Sequence, residues 1–265
     1  MARKFNIYGF CFYRYWFNGK SLLQKPLDLL LQHPEIDINY CLCWANENWT
    51  RKWNGADNDI LIKQTYSNDS VEYIANIEKW LKDPRYIKNN GKPILLIYRP
   101  YNLPNPTKTF ELWRKYAKEH GIGEIEIYVQ RSLQNSIWYK SAIVDGIDAE
   151  VEFPPLCMMP MSEKFTKRHV HIRYYNDLVN FVLSKKAPIE KFNHRVYRGI
   201  MLGFDNTARN KQGVSYVNFS FQLYEKWLKY IVNWTEEKYK NTCYDKYVFI
   251  NAWNEWGEGT YLEPD

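Results

Sequence analysis

The chain has little of what would mark several large classes of protein. No apolar run approaches the ~18 residues that a membrane span needs, so no membrane span is expected. Cysteine is scarce and odd in number, at positions Cys11, Cys41, Cys43, Cys157 and Cys243. That gives no paired disulfide framework and suits a reducing, cytoplasmic setting. The first residues, MARKFNIYGFCFYRYWF, are broken by Arg14 and lack the small-residue cleavage site of a signal peptide, so they read as a strand. There is no P-loop, no GxSxG elbow and no glycine-rich turn after the first apolar run. These absences argue against phosphoryl transfer, serine hydrolysis and a doubly wound dinucleotide fold. There is no basic block either. The 36 Lys and Arg are interleaved with 30 Asp and Glu, so the net charge of +6 reads as a mixed solvated surface and no nucleic-acid partner is expected.

Metal ligands are poorly supplied. Cys41 and Cys43 lie two apart on one face of an apolar strand, and His33 and His120 sit at helix ends. His169 and His171 alternate without a third ligand nearby. No metal and no cofactor are expected. What the chain does have is rings: aromatic residues reach 17%, with 11 Trp and 22 Tyr. That is more than a core requires, and surplus rings stack on sugars or bases.

Seven short apolar runs recur, at 7–13, 40–45, 93–98, 125–130, 147–153, 198–204 and 247–253. Helical patterns fall between several of them, at 26–33, 70–83, 109–121 and 219–232. This alternation predicts an α/β fold with a parallel sheet, and a (β/α)8 TIM-type barrel fits it best. Residues 1–265 read as one barrel domain, with an irregular insertion around 155–195. Against eight strands the count is one short, and no closing helix follows Pro264. In such barrels the reacting groups follow the strands. Here the runs are followed by Arg14, Tyr15 and Trp16; Asn46, Glu47, Asn48 and Trp49; Tyr98 and Arg99; Arg131; Glu152; Asp205 and Asn206; and Asn254, Glu255 and Glu258.

The last of these lie in WNEWGEGT, residues 253–260. Residues three apart on an extended strand point to opposite faces, so Glu255 and Glu258 share a site only if the chain turns between them, which Gly257 and Gly259 permit. Two carboxylates in one pocket repel, so one is pushed to hold a proton, the asymmetry that glycosidic cleavage needs. Trp253 and Trp256 offer walls to stack on a sugar. The alternative is a pair of solvated loop charges. A second stretch, WANENWTRKWNGADND at 44–58, gathers Trp44, Glu47, Asn48, Trp49 and Arg51, more ring and amide than a connector requires. It reads as carbohydrate-recognition surface or, alternatively, as a buried aromatic cluster. In a third, GFDNTARN at 203–210, Arg209 binds a phosphate or carboxylate, or else pairs with Asp205.

Taken together, YGFCFYRYWFNGK, LCWANENWTRKWNG, GKPILLIYRP, VEFPP, GFDNTAR and INAWNEWGEGTYLEPD resemble the WbsX family of bacterial surface-polysaccharide loci, related to the endo-α-mannosidases among glycoside hydrolases. The resemblance covers essentially the whole chain. It implies a (β/α)8 barrel whose NEWxEGT segment carries both catalytic carboxylates. Glu255 would act as base on the sugar 2-hydroxyl, by way of an epoxide-like intermediate, and Glu258 as general acid and base. The family usually has a strand and helix before the YGFCFYRYWF strand and a helix after LEPD, so the chain is expected to be a fragment or to have a miscalled start. The expected partner is an oligosaccharide or polysaccharide. Three functions compete: cleavage of a surface glycan, a glycosyltransferase of O-antigen or capsule synthesis with DND at 57–59 as a metal candidate, and a non-catalytic glycan-binding barrel.

Overall fold

The computed structural model describes residues 1–51, 56–67, 70–131, 144–157, 164–165, 170–184, 195–210 and 213–264. The elements begin with strands β1 (Gly9–Phe17) and β2 (Lys20–Leu22), helix α1 (Lys25–Gln32), β3 (Asn39–Trp44), β4 (Trp49–Arg51) and β5 (Ala56–Ile62). Then come α2 (Glu72–Leu81), β6 (Lys88–Asn89), β7 (Lys92–Ile97), α3 (Pro106–Glu119), β8 (Glu126–Arg131) and β9 (Ala149–Glu152). The remainder is β10 (Lys164–Phe165), β11 (His171–Tyr174), α4 (Tyr175–Leu183), β12 (Arg195–Met201), β13 (Val214–Val217), α5 (Phe221–Lys238), β14 (Val248–Asn251), β15 (Asn254–Glu255) and β16 (Thr260–Tyr261). The expected α/β class is the one observed, and each of the seven apolar runs contains or overlaps a strand: β1, β3, β7, β8, β9, β12 and β14.

The chain divides into two compact units, the first being Met1–Trp49, Ile62–Gln130 and Ala142–Ala149. Within it β1 pairs with β3, β3 with β7 and β7 with β8, all in parallel. Strands such as KPILLI are buried along nearly their whole length, as strands covered on both faces must be. Helix α2 supplies cover with Tyr73, Ile74, Ile77, Trp80 and Leu81 buried at helical spacing. Helix α3 starts where the sequence gives it a cap: Asn105 Oδ1 accepts the Lys108 N–H, and Pro106 occupies the first turn. At the end of α1 the guanidinium of Arg85 donates to the carbonyls of Leu30, His33 and Ile36 while holding Asp83 at 2.7 Å. Carbonyls that the helix end would otherwise leave open are thereby satisfied.

The second unit comprises Thr50–Leu61, Arg131–Ser141 and Glu150–Asp265. There β12 neighbours β9 and pairs in parallel with β14, and β11 pairs in parallel with β13. Its core joins Tyr175, Leu178, Val179 and Val182 of α4 to Trp227 and Ile231 of α5. The stretch expected to be irregular, 155–195, holds strands β10 and β11 and a core-forming helix among its described residues. No helix among the described residues is long and apolar enough to cross a membrane.

Candidate active site

Strand β14 ends at Asn251, and the chain then forms the short antiparallel pair of β15 and β16. Between those strands a 3-10 turn spans Trp256–Glu258, and Gly259 closes it in the left-handed conformation at φ 57°. This is the turn that the spacing of Glu255 and Glu258 requires. The Trp253 carbonyl accepts from the N–H groups of Leu262 and Glu263, both at 2.9 Å, and the Thr260 hydroxyl donates to the Asn251 carbonyl at 2.6 Å. The hairpin is thus fastened to its strand at both ends.

The turn brings the two carboxylates to one cation. Arg209 Nη1 donates to Glu255 Oε1 at 3.2 Å, and its Nη2 lies 3.6 Å from Glu258 Oε1. The Glu255 side chain is 44% exposed and that of Glu258 19%. The bare repulsion expected between two carboxylates is therefore relieved by a guanidinium shared between them. Arg209 does not take Asp205 as its partner in these contacts. Asp205 Oδ1 instead accepts from the backbone N–H and hydroxyl of Thr207, and Oδ2 from the Ser215 hydroxyl. Partial burial pushes the Asp205 carboxyl up, but these hydrogen bonds outweigh it and hold the group below its ordinary range. Asn206 Oδ1 accepts the Val214 N–H at 2.8 Å, and the Asn206 carbonyl accepts the Arg209 N–H at 3.1 Å. Asp205 and Asn206 thus build the loop that presents Arg209.

Trp256 is 46% exposed, yet its ring stacks on Tyr261 at 3.6 Å and 18°, and its indole N–H donates to the Glu263 carboxylate. Trp253 is half-buried and Asn254 is exposed opposite Tyr261.

The candidates of the 44–58 stretch separate into two groups. Trp44 lies in the core, 2% exposed, stacked on Tyr73 at 4.1 Å with its indole N–H on the Trp16 carbonyl. The alternative of an aromatic cluster describes it. Asn48 accepts the Gln64 N–H, a structural bond. Half-buried Trp49 packs against Tyr15 with centroids 5.3 Å apart. Arg99 lies over the Tyr98 ring at 4.2 Å and reaches Glu47 at 3.4 Å. These last five residues make two sets of contacts in the first unit, Tyr15 with Trp49 and Arg99 with Tyr98 and Glu47. In the second unit Arg51 pairs with Asp59 at 3.3 Å. Residues 52–55, and the side chains of Asp57 and Asn58, lie outside the described residues, as does His169.

Glu152 is buried, with Arg198 Nε at 2.8 Å, the Gly199 N–H at 3.1 Å and Arg131 Nη1 at 3.8 Å. A Cβ on Gly199 would meet the Glu152 carbonyl oxygen at 2.4 Å, so glycine is what lets the strands approach. Asn46, which the sequence places among the residues following the strands, is fully buried. It accepts the Arg99 N–H and donates to the Arg99 carbonyl, both at 2.7 Å, so the ends of β3 and β7 are joined through it. Its signal was its place directly after an apolar strand.

Parallel strands with intervening helices give the (β/α)8 type of fold, and solved structures share it. A glycoside hydrolase-like protein matches with TM-score 0.59 at 14% identity, over 99% of this chain and 76% of its own. The GH99 endo-α-mannosidase from Bacteroides thetaiotaomicron matches with TM-score 0.51 at 14% identity, over 94% and 64%. The chain belongs to the family described as Glycosyltransferase WbsX, which matches residues 1–265. It is 37% identical over 276 residues to the uncharacterized protein WxcX of Xanthomonas campestris pv. campestris, in strains ATCC 33913 and B100 alike. The match takes in 100% of this chain but 38% of that protein, so the chain spans little more than a third of the length of these relatives.

Proposed function

We propose that this chain acts on glycosidic bonds of a bacterial surface polysaccharide, with Glu255 and Glu258 as the reacting carboxylates. The observation that carries the reading is the Glu255–Arg209–Glu258 arrangement, two carboxylates on one short hairpin facing a single guanidinium. Glycosidic cleavage needs a proton for the leaving oxygen and a base for the other partner. By the family resemblance, Glu255 takes the proton of the sugar 2-hydroxyl, whose oxygen closes on the anomeric carbon as the bond to the leaving oxygen breaks. Glu258 gives its proton to that oxygen. Water then opens the three-membered ring, passing a proton to Glu258 while Glu255 returns its own to the 2-oxygen, and both groups regain their starting states. The fold shared with an endo-α-mannosidase supports this reading. Tyr15, Glu47, Trp49, Tyr98 and Arg99 in the first unit are the further candidates for sugar contact.

The test is release of reducing ends from α-linked mannose-containing and surface-derived oligosaccharides by wild type, Glu255→Gln and Glu258→Gln. Each variant is expected to lose on the order of a hundredfold or more in turnover. Undiminished turnover in both removes the assignment. Transfer from an activated sugar is the second reading, favoured by the description of the family. It predicts Mn²⁺-dependent binding of a nucleotide sugar that Asp59→Asn weakens. Glycan affinity without turnover, unchanged in both Gln variants, would instead select a binding module.

A further inference from the structure

Three of the five cysteines are gathered on one face of the sheet in the first unit, and no step of the proposed reaction uses them. Cys11 on β1 stands directly opposite Cys41 on β3 in the parallel register, and Tyr13 stands opposite Cys43. Residues two apart on a strand share a face, so the three thiols lie on the same side. That side is the concave one. Gln130 of β8, which β7 separates from β3, accepts the Tyr13 hydroxyl at 3.0 Å and the Cys43 thiol at 3.6 Å. The Cys41 and Cys43 thiols both hydrogen-bond to the Cys11 sulfur, and these bonds hold the Cys11 thiol well below its ordinary range, against the burial that would raise it. The same contact, with burial, pushes Cys41 up. Cys11 is half-buried and its neighbour Tyr13 is 38% exposed, so a small solute can reach this face, whereas Cys41 and Cys43 are buried.

We infer that Cys11 and Cys41 form a thiol pair that a peroxide converts to a disulfide, with Cys11 as the sulfur that reacts first. The Cys11 thiolate attacks one oxygen of hydrogen peroxide, the O–O bond breaks, and the sulfur is oxidised to a sulfenic acid while the other oxygen leaves as water with the thiol proton. The Cys41 thiol then attacks the Cys11 sulfur and the S–S bond forms. The sulfenic oxygen leaves as a second water, carrying its own proton and that of Cys41. Neighbouring strands lie about 4.7–4.9 Å apart, inside the ~4.4–6.8 Å that a disulfide spans between Cα atoms. Side chains standing abreast on two strands must still draw together to bond, so the link is strained and a small thiol reduces it readily. The inference is independent of the roles given to Glu255 and Glu258.

The test exposes the folded protein to dilute hydrogen peroxide, then denatures it, alkylates the remaining thiols and maps the peptides by mass spectrometry. Exposed Cys243 is the internal reference. Cys11 is expected to become resistant to alkylation about tenfold faster than Cys243, with its peptide joined to that of Cys41 by loss of two hydrogens, and dithiothreitol should restore both. Peroxide added in urea should abolish the preference for Cys11, because the fold creates it. Cys43→Ser, which leaves one thiol on the β3 peptide, should keep the link. Cys41→Ser combined with Cys43→Ser should leave Cys11 as a sulfenic acid that dimedone traps. Circular dichroism checks that the serine variants fold, and the wild-type result stands without them. Cys11 oxidised no faster than Cys243, or oxidised without joining another cysteine, overturns the proposal. A link from Cys11 to Cys43 in wild type, lost in Cys43→Ser, overturns the pairing read from the register.

Discussion

Asp205 and Glu258 are joined backbone to backbone, the N–H of one donating to the carbonyl of the other at 2.7 Å. That bond sets the loop carrying Arg209 against the turn carrying both carboxylates. It is possible because Gly259 stands where a side chain would crowd Asp205: an added Cβ would lie 3.2 Å from the Asp205 nitrogen and 3.3 Å from its Cβ and carbonyl oxygen.

Gly259→Ala is therefore expected to act twice. The left-handed conformation at φ 57° costs an alanine about 1–2 kcal/mol, and the crowding pushes the two segments apart. Thermal unfolding should show a lowered Tm. Glycan cleavage at a temperature where the variant is folded should fall as well, because Glu258 moves relative to Arg209. A variant with lowered Tm and unchanged turnover would show that this contact serves the fold alone.

Glu152 illustrates a different dependence. Its carboxylate lies between Arg198 and Arg131, and all three side chains are at most 5% exposed. Glu152→Ala takes the carboxylate from buried Arg198, while Arg131 keeps Glu150 at 3.3 Å, and is expected to cost about 3–5 kcal/mol, read from urea unfolding. Glu152→Ala combined with Arg198→Met should recover part of that loss, because one stranded charge goes with it. Equal destabilisation in the single and double variants would count against the pair as the cause.

These two sites show where the sequence was legible. The strands could be read because runs such as YCLCW and PILLI are buried without interruption, and Asn105-Pro106 marks a helix start as plainly in sequence as in structure. Helix α4 escaped notice for a local reason. Strand β11 ends at Tyr174 and the helix begins at Tyr175, with no glycine, proline or capping side chain to mark the change of period. The two glutamates could be read as a pair because they are three residues apart on a turn-permitting segment. Their cation could not, since Arg209 is 46 residues from Glu255 and its alternatives were equally good in sequence. Trp44 shows the reverse. Its neighbours promised a recognition loop, but it is still the last residue of a strand buried on both faces.

Stability should fall with acid partly through Asp83. Burial pushes its carboxyl up, but hydrogen bonds from the Arg85 guanidinium and backbone N–H, with the charge of Arg85, outweigh that and hold it below the ordinary aspartate value of 3.8. A carboxyl depressed in the folded state stabilises above its unfolded value and loses that contribution as pH falls through the folded one. Asp83→Asn is thus expected to cost about 2 kcal/mol near pH 7, and the gap from wild type should close as pH falls below the ordinary aspartate value. Urea midpoints measured across this range test it. A gap that persists undiminished in acid would assign the effect to packing, not to charge.

Trp256 combines exposure with restraint. Its indole keeps 46% of its surface in water, yet it is stacked on Tyr261 and hydrogen-bonded to Glu263. A ring fixed in this way loses little freedom when a ligand settles on it, so stacking energy goes into affinity. Trp256→Ala is expected to weaken glycan binding about tenfold, corresponding to about 1.4 kcal/mol, while shifting the unfolding midpoint little because the side chain is not in the core. Tyr261→Ala should weaken binding by a smaller factor, since it frees the indole without removing it. Titration of the inactive Glu255→Gln background by intrinsic fluorescence or calorimetry separates binding from turnover. Wild-type affinity in Trp256→Ala would make this ring a support for the hairpin and place the sugar elsewhere.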